Sequence, residues 1–565
     1  MDADISVVTR AQIEASGSAS LLDVLGRLPG VQVTTTGDSP RVFLRGAEAR
    51  MTALLVDGVR VDSQDGLRLG GGAPWELLPL DQIERIEVLR GPASAVYGSD
   101  AMGGVVHVVT RRGGAGNQAF ASLSLGSQRT RGAAAGVSGA QGGLEYTLSL
   151  AARDSDGYDT RPDLTHTPQT EGSRQRSAQL RFGWELAPGQ RLGAQALASA
   201  LDSRYVPWNG GTDFQARSVL SSGQLTWNAD WSPSYQTQMQ WLSSRVARRD
   251  DVPYDYATQL QGWHVDQRWL LGAAQARLGL EFKRDRFDSQ PSGYWDPAFA
   301  GERTQRGVSG GYELQSGMHH LSLQTRWDHD ELFGDRTTGA LRWHADVTPQ
   351  WRTSLAWGSA FRAPTLEQVF GPYGSAALLP ESNRTFEAAV RWQDSGRYAS
   401  VVLARNDIQD MISSSASLTT CSAGYFCYFN VGHARVDSAT LTVGHRDGAN
   451  GVQATLDWLD PRDLATDHTL SLRARRSALL SADRTVGNWQ LGVDWRAVGP
   501  RFDNAANTVS LAGYAKLDLR ARVALSRDWQ VLLRLDNALD ATYQEVGGYA
   551  IPGRTASLQL QWQAR

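Results

Sequence analysis

The sequence predicts a large transmembrane β-barrel, residues 116–565, preceded by a small mixed α/β domain, residues 1–115. Three observations carry that fold class. Beyond about residue 118, apolar and polar residues alternate with period two to the end of the chain. Several of these runs reach about nine residues, the length with which a tilted strand crosses the hydrocarbon layer, whereas soluble strands usually stop at about five or six. No run of 18 apolar residues exists, which excludes a membrane protein built of helices.

The N-terminal elements follow in order. Ser20 has the chemistry of an N-cap ahead of Leu21, Leu22, Leu25 and Leu28, whose spacing gives one apolar helical face, and Pro29-Gly30 stops the helix. Phe43 to Gly46 and Leu54 to Val61 are strand-like. Asp57-Gly58 divides the second of these, the strongest short signal for a two-residue turn, because both central positions need positive φ. Gly91-Pro92, Gly98 and Gly103-Gly104 mark tight turns through the rest.

In the barrel region Leu144, Tyr146, Leu148 and Leu150 alternate with Glu145, Thr147, Ser149 and Ala151. The same pattern returns at Leu321, Leu323 and Trp327, at Trp489 to Trp495, and at Ala556 to Trp562. Many runs end in Trp or Tyr, and the 19 Trp and 16 Tyr suffice for an aromatic girdle. A net charge of −3 and a mean hydropathy of −0.36 fit a barrel whose lumen, loops and internal domain are polar, and give nucleic-acid binding no support. Cys421 and Cys427 lie between two strand-like stretches. In an oxidising compartment they close a short loop as a disulfide; the alternatives are free thiols, or a metal site that two cysteines alone do not complete.

Leu21 to Val31, Phe43 to Gly46, Leu54 to Val61 and Asp81 to Arg112 together resemble, in order, the plug domain of TonB-dependent outer-membrane receptors. The resemblance implies a barrel of about 22 antiparallel strands, and about 450 residues then leave roughly 20 for each strand and its connection. It also implies a monomer in the lipid of a Gram-negative outer membrane, with TonB and its inner-membrane energising complex as partners. Such a receptor is exported, so a signal peptide is expected upstream of this sequence. Asp4 to Thr9 superficially resembles the energy-coupling segment, but runs into the helical region without a linker and reads instead as the plug's first strand. Trp562 takes the place of the terminal aromatic that barrel insertion recognises.

Within the family, the segment Arg90 to Val106 is most similar to that of the cobalamin receptors, as is Phe361 to Val390. No histidine lies between Phe361 and Val390, which argues against the haem receptors. The implied cargo is cobalamin or a related corrinoid; the alternatives are a ferric siderophore or haem, or a passive porin-like or adhesin-like barrel. Two plug loops would present ligand contacts: Thr36, Gly37, Asp38 and Ser39 in one, Gln64, Leu67, Arg68 and Leu69 in the other, with Asp38, Gln64 and Arg68 able to bond corrin amides. Tyr158, Tyr205, Trp208 and Tyr373 are the aromatic candidates from barrel loops. The resemblance further implies loop calcium held by Asp159, Glu171 and Asp213, with Gln169 and Tyr205 or Val206 at other ligand positions. Arg45, Glu87 and Arg90 are expected to form movable charged contacts between plug and barrel wall.

The chain does not read as an enzyme. Gly307 to Gly311 satisfies G-x-S-x-G by letter, but a nucleophile elbow needs a strand-turn-helix, and its neighbours read as barrel strand. His319-His320 nearby has no acidic partner at metal-ligand spacing along the chain.

Overall fold

The computed structural model describes residues 5–37, 39–66, 72–113, 116–207, 210–251, 255–290, 298–415 and 427–564. Strand β1 (Ile5–Thr9) opens the N-terminal domain, and Thr9 caps helix α1 (Arg10–Ser16) in a reciprocal capping box with Gln12. Helix α1 has no counterpart among the sequence expectations, because Ile13 is its one buried residue and no apolar stripe marks it. Ser20 accepts the Asp23 amide and starts α2 (Leu21–Leu25), which buries Leu21 and Leu25 of the expected face together with Val24, while Leu22 and Leu28 are half-buried.

Strands β2 (Val31–Thr36) and β3 (Ser39–Leu44) form a hairpin. Strand β4 (Thr52–Val56) turns into β5 (Val59–Arg60) through Asp57 and Gly58, at φ 51° and 92°. With β6 (Ile83–Arg90) and β7 (Gly104–Thr110) they make a sheet of order β1-β6-β7-β4-β5, parallel only between β4 and β7. Ile5 faces Leu89 and Thr9 faces Arg85, so the segment before α1 is indeed a strand of this sheet. Every residue of β4 is buried because both faces are covered: Leu54 and Val56 join α1 and α2, while Ala53 and Leu55 meet Ala93 and Ala101. The first cluster also takes in Leu197, Leu220 and Val246, so the domain's core is completed by the barrel wall. Gly104 sits at φ 145°, where a Cβ would lie 2.2 Å from the Leu89 carbonyl oxygen.

The remaining chain forms a closed barrel of 22 strands around this plug. Its first strand, Gln118–Gly126, pairs with its last, Thr555–Gln563, and each hairpin between them is antiparallel. Burial is inverted relative to a soluble sheet: Leu148 and Leu150 are 46% and 56% exposed while Thr147 and Ser149 between them are buried. Leu321, Leu323 and Trp327 likewise face outward and Arg326 and Asp328 inward. An apolar band faces lipid and a polar wall faces the plug. One end is closed by two-residue turns such as Gly142-Gly143, Pro188-Gly189 and Ser395-Gly396, whereas the other carries the long connections 156–172, 363–380, 410–433 and 537–554. Trp562 ends the alternating run beside Trp529, ring centroids 6.5 Å apart.

Candidate functional site

The long connections stand over the plug, and the β2–β3 hairpin reaches up to them. Its threonines suit an extended ribbon, and Gly37, at φ 57°, lets it reverse. A Cβ on Gly37 would lie 3.6 Å from the Tyr549 ring and 3.9 Å from the Thr160 hydroxyl, so the tip is in close approach to both connections. Thr36 closes the turn by donating to the Ser39 carbonyl at 2.8 Å, and the Thr35 amide donates to Glu545 at 3.1 Å. Burial raises the Glu545 carboxyl above its ordinary range, against the opposing pull of Arg501 and the Tyr514 hydroxyl. Tyr514 and Tyr543 stack at 3.8 Å, and Arg161 lies over the Tyr549 ring at 4.9 Å. None of these tyrosines is expected from the sequence: Tyr543 and Tyr549 share the connection 537–554, while Tyr514 starts the barrel strand Tyr514–Ala524 and meets Tyr543 only through the fold.

A cavity of about 550 Å³ runs beside the hairpin between plug and barrel wall. Tyr158, Thr160, Glu171 and Tyr205 line it together with Gly37, and Ser20, Leu22, Trp75 and Leu78 supply the plug side. Burial, with Glu545 and Glu171 nearby, pushes the Tyr158 hydroxyl up to about 12, so it is a neutral donor at physiological pH. Tyr205 donates to Asp250 at 2.5 Å and packs edge-on against Phe214. Tyr373 stands apart, packed against a cluster of Leu378, Ile412 and Tyr428. Gln64 is 5% exposed and turned inward: its amide donates to Thr258 at 2.8 Å, and its side-chain oxygen accepts from Arg303 and Leu366. Its position serves the junction of plug and barrel rather than an open chamber. Asp38, Leu67, Arg68, Leu69 and Trp208 lie outside the described residues.

The three carboxylates expected to bind metal converge, and they do so around a histidine that is not among the sequence expectations. His166 Nε2 is 3.1 Å from Asp159, and Nδ1 is 2.9 Å from Asp213 and 3.7 Å from Glu171. Nδ1 also lies 3.0 Å from the Pro168 carbonyl oxygen. Burial opposes a charge on His166, but Asp159 and Asp213 outweigh it and raise its pKa; burial also raises the carboxyls of Glu171 and Asp213. Calcium takes six to eight oxygens, so an imidazole at the centre departs from the oxygen shell that the resemblance implies.

Beside the apolar contacts made by Leu197, Leu220 and Val246, several ion pairs join plug and barrel. Arg45 meets Glu387 at 2.6 Å, with side-chain exposures of 8% and 12%. Arg27 meets Asp494 at 3.0 Å, Asp57 accepts from Arg181 at 2.6 Å, and Arg50 pairs with Glu381. Arg473 binds the Gly46 carbonyl at 2.8 Å and the Glu48 carboxylate. Arg90 donates to Ser6 at 2.9 Å within the plug and is in electrostatic reach of Asp457 on the wall, which accepts the Gly30 amide. Glu87 differs from its expected role: its ion pairs, with Arg85 at 2.6 Å and His107 at 3.2 Å, are both inside the plug. It sits on β6 opposite His107 of β7, and that register turns it to its sheet neighbours.

Ser309 lies mid-strand in Phe299–Ser316, opposite Gly279 and Arg326, so the G-x-S-x-G letters form no elbow. His320 does have an acidic neighbour, Asp346 at 3.9 Å, brought over by the next strand together with His344. Chain spacing could not show a partner that arrives across the sheet. Cys427 is disulfide-bonded; the chain's other cysteine, Cys421, lies outside the described residues.

Comparison with known proteins matches residues 1–105 to the TonB-dependent Receptor Plug Domain and residues 110–538 to the TonB dependent receptor-like β-barrel. A curated relative, the vitamin B12 transporter BtuB of Photobacterium profundum, is 26% identical over 98% of this chain and 91% of its own. Among solved structures, a mutant of the ferric enterobactin receptor PfeA from Pseudomonas aeruginosa superposes with a TM-score of 0.87 at 20% identity, covering 100% of this chain and 99% of that one. The siderophore receptor PirA from Acinetobacter baumannii gives 0.85 at 17% identity, covering 99% and 98%. These structural likenesses speak for the fold.

Proposed function

Since the chain belongs to the TonB-dependent receptors of the Gram-negative outer membrane, we propose that it captures cobalamin or a related corrinoid and admits it to the periplasm under TonB's pull. The near full-length likeness to a vitamin B12 transporter carries this reading of the cargo. The cavity beside β2–β3 supports it, because the Tyr158 and Tyr205 side chains on its lining give a large ligand rimmed with amides aromatic surface and, at Tyr158, a neutral hydrogen-bond donor. The Tyr158 side chain and the hairpin backbone at Gly37 are groups on that lining placed to contact it, with the Tyr549 ring standing against the Gly37 tip.

Energy is needed on the far side of that binding step. Nanomolar affinity amounts to roughly 12 kcal/mol, which makes unaided release into the periplasm slow. The ion pairs between plug and wall can be exchanged for water as the plug shifts, while its apolar contacts with Leu197, Leu220 and Val246 must part as well, which is where a pull is needed. Calorimetric titration of the detergent-purified protein with cyanocobalamin, beside haem and a ferric siderophore, tests the cargo. Tight corrinoid binding that falls in Tyr158→Ala supports the proposal; binding of an iron chelate alone overturns it.

A further inference from the structure

His166 draws two outer segments to one point, 156–172 and Gly211 to Asp213, next to the cavity that Glu171 lines. The ligating atoms of Asp159, His166 and Glu171 lie within 4.8 Å of one another. Glu171 divides its oxygens: Oε2 accepts the Thr160 amide at 2.7 Å, while Oε1 is buried without a hydrogen-bond partner. Asp213 Oδ2 is likewise buried and unpartnered, on a side chain that is 0% exposed. Arg204 lies within electrostatic reach, yet three carboxylates against one imidazole leave a deficit of positive charge at a cluster in which His166, Glu171 and Asp213 are buried and Asp159 alone is partly open to water.

We propose that Asp159, His166 and Glu171 bind a divalent ion that accepts an imidazole ligand, Zn²⁺ in the first place, with Asp213 as a positioning residue. One nitrogen and two carboxylates make a borderline set that suits zinc and its neighbours better than calcium. An ion at Nε2 beside Asp159 leaves Nδ1 to donate to Asp213 at 2.9 Å, the carboxylate contact that orients metal-bound imidazoles, and requires Glu171 Oε1, now 3.7 Å from Nδ1, to turn toward the ion. The ion would tie the two connections together independently of which cargo lies below.

Titration of the full-length protein with Zn²⁺, with Co²⁺ as an absorbing probe and with Ca²⁺ as the competitor, reads the site without any cargo. One Zn²⁺ per chain is expected at this cluster, with affinity lowered about 100-fold in His166→Gln and about 10-fold in Asp213→Asn. The Co²⁺ absorption should disappear in His166→Gln and Glu171→Gln and persist in His344→Gln, which spares this cluster and alters the histidine pair near Asp346. Heat-resistant migration of each variant checks that the barrel is formed. Zn²⁺ binding undiminished in both His166→Gln and Glu171→Gln, loss of the signal only in His344→Gln, or Ca²⁺ displacing Zn²⁺ at equal concentration would overturn the proposal.

Discussion

Removing Arg45 should loosen the plug by an amount that its burial sets. The pair with Glu387 is 2.6 Å long and about nine-tenths shielded on both sides, so it belongs with buried ion pairs rather than with solvent-screened surface ones. Taking away one partner leaves a charge short of compensation in a narrow polar gap, where Arg342 is a further cation in reach of Glu387, so the cost falls at the lower end of the buried-pair range, about 3 kcal/mol. If the pair holds the resting position, about 3 kcal/mol raises the population of the displaced plug by roughly 100-fold or more. Replacing both residues by methionine removes both charges and should recover most of the loss. Hydrogen exchange on β3 and β4 amides, in Arg45→Met, Glu387→Met and the double variant, measures all three corners. Exchange rates that change less than tenfold in either single variant, or effects that simply add in the double, would refute the assignment of Arg45 as a restraint.

Other expectations follow from the same geometry. Leu280, 48% exposed near the middle of strand Ala274–Ser289, should cost about 2–4 kcal/mol when changed to Arg if lipid covers it, and under about 0.5 if water does; urea unfolding in liposomes separates the two. Gly104→Ala should destabilise the plug by at least about 2 kcal/mol, because the new Cβ meets the Leu89 carbonyl oxygen. Proteases should then cut residues of the plug while the barrel keeps its heat-resistant migration. Burial disfavours the Glu48 carboxylate, but Arg473 and Arg50 overcome this and hold its pKa at about 2. The stability it contributes is therefore complete above the ordinary value of 4.5 and disappears as pH falls through about 2, so Glu48→Gln should flatten the acid limb of a melting-temperature curve.

The fold is legible in the sequence because its signals are periodic and local. Alternation at Leu148 and Leu150 reads the same from the sequence as from the wall, and Asp57-Gly58 turns where its backbone preference requires. Contacts between distant segments are not legible in this way. His166 lies in a loop without pattern, and its meaning depends on Asp213 arriving through a separate hairpin. Gln64 has the polarity of a ligand contact, but burial against Arg303 gives it internal work. Glu87 takes its expected role from its place in a motif, whereas its orientation is fixed by register with His107. Side-chain chemistry is visible throughout; direction is visible only where a period fixes it.

The seam between the first and last barrel strands has a consequence for biogenesis. Ala556 donates to the Ser127 hydroxyl across a sequence separation of 429 residues, and the strands on either side of that bond pair with each other. Until the final strand is present, both would display open ladders of amides and carbonyls, the kind of edge on which chains aggregate. Contacts of this range also make folding slow, since nearly the whole polypeptide must be ordered before they form. A chain truncated just before Thr555 should therefore accumulate as an insoluble, protease-sensitive species rather than as a slightly leaky barrel.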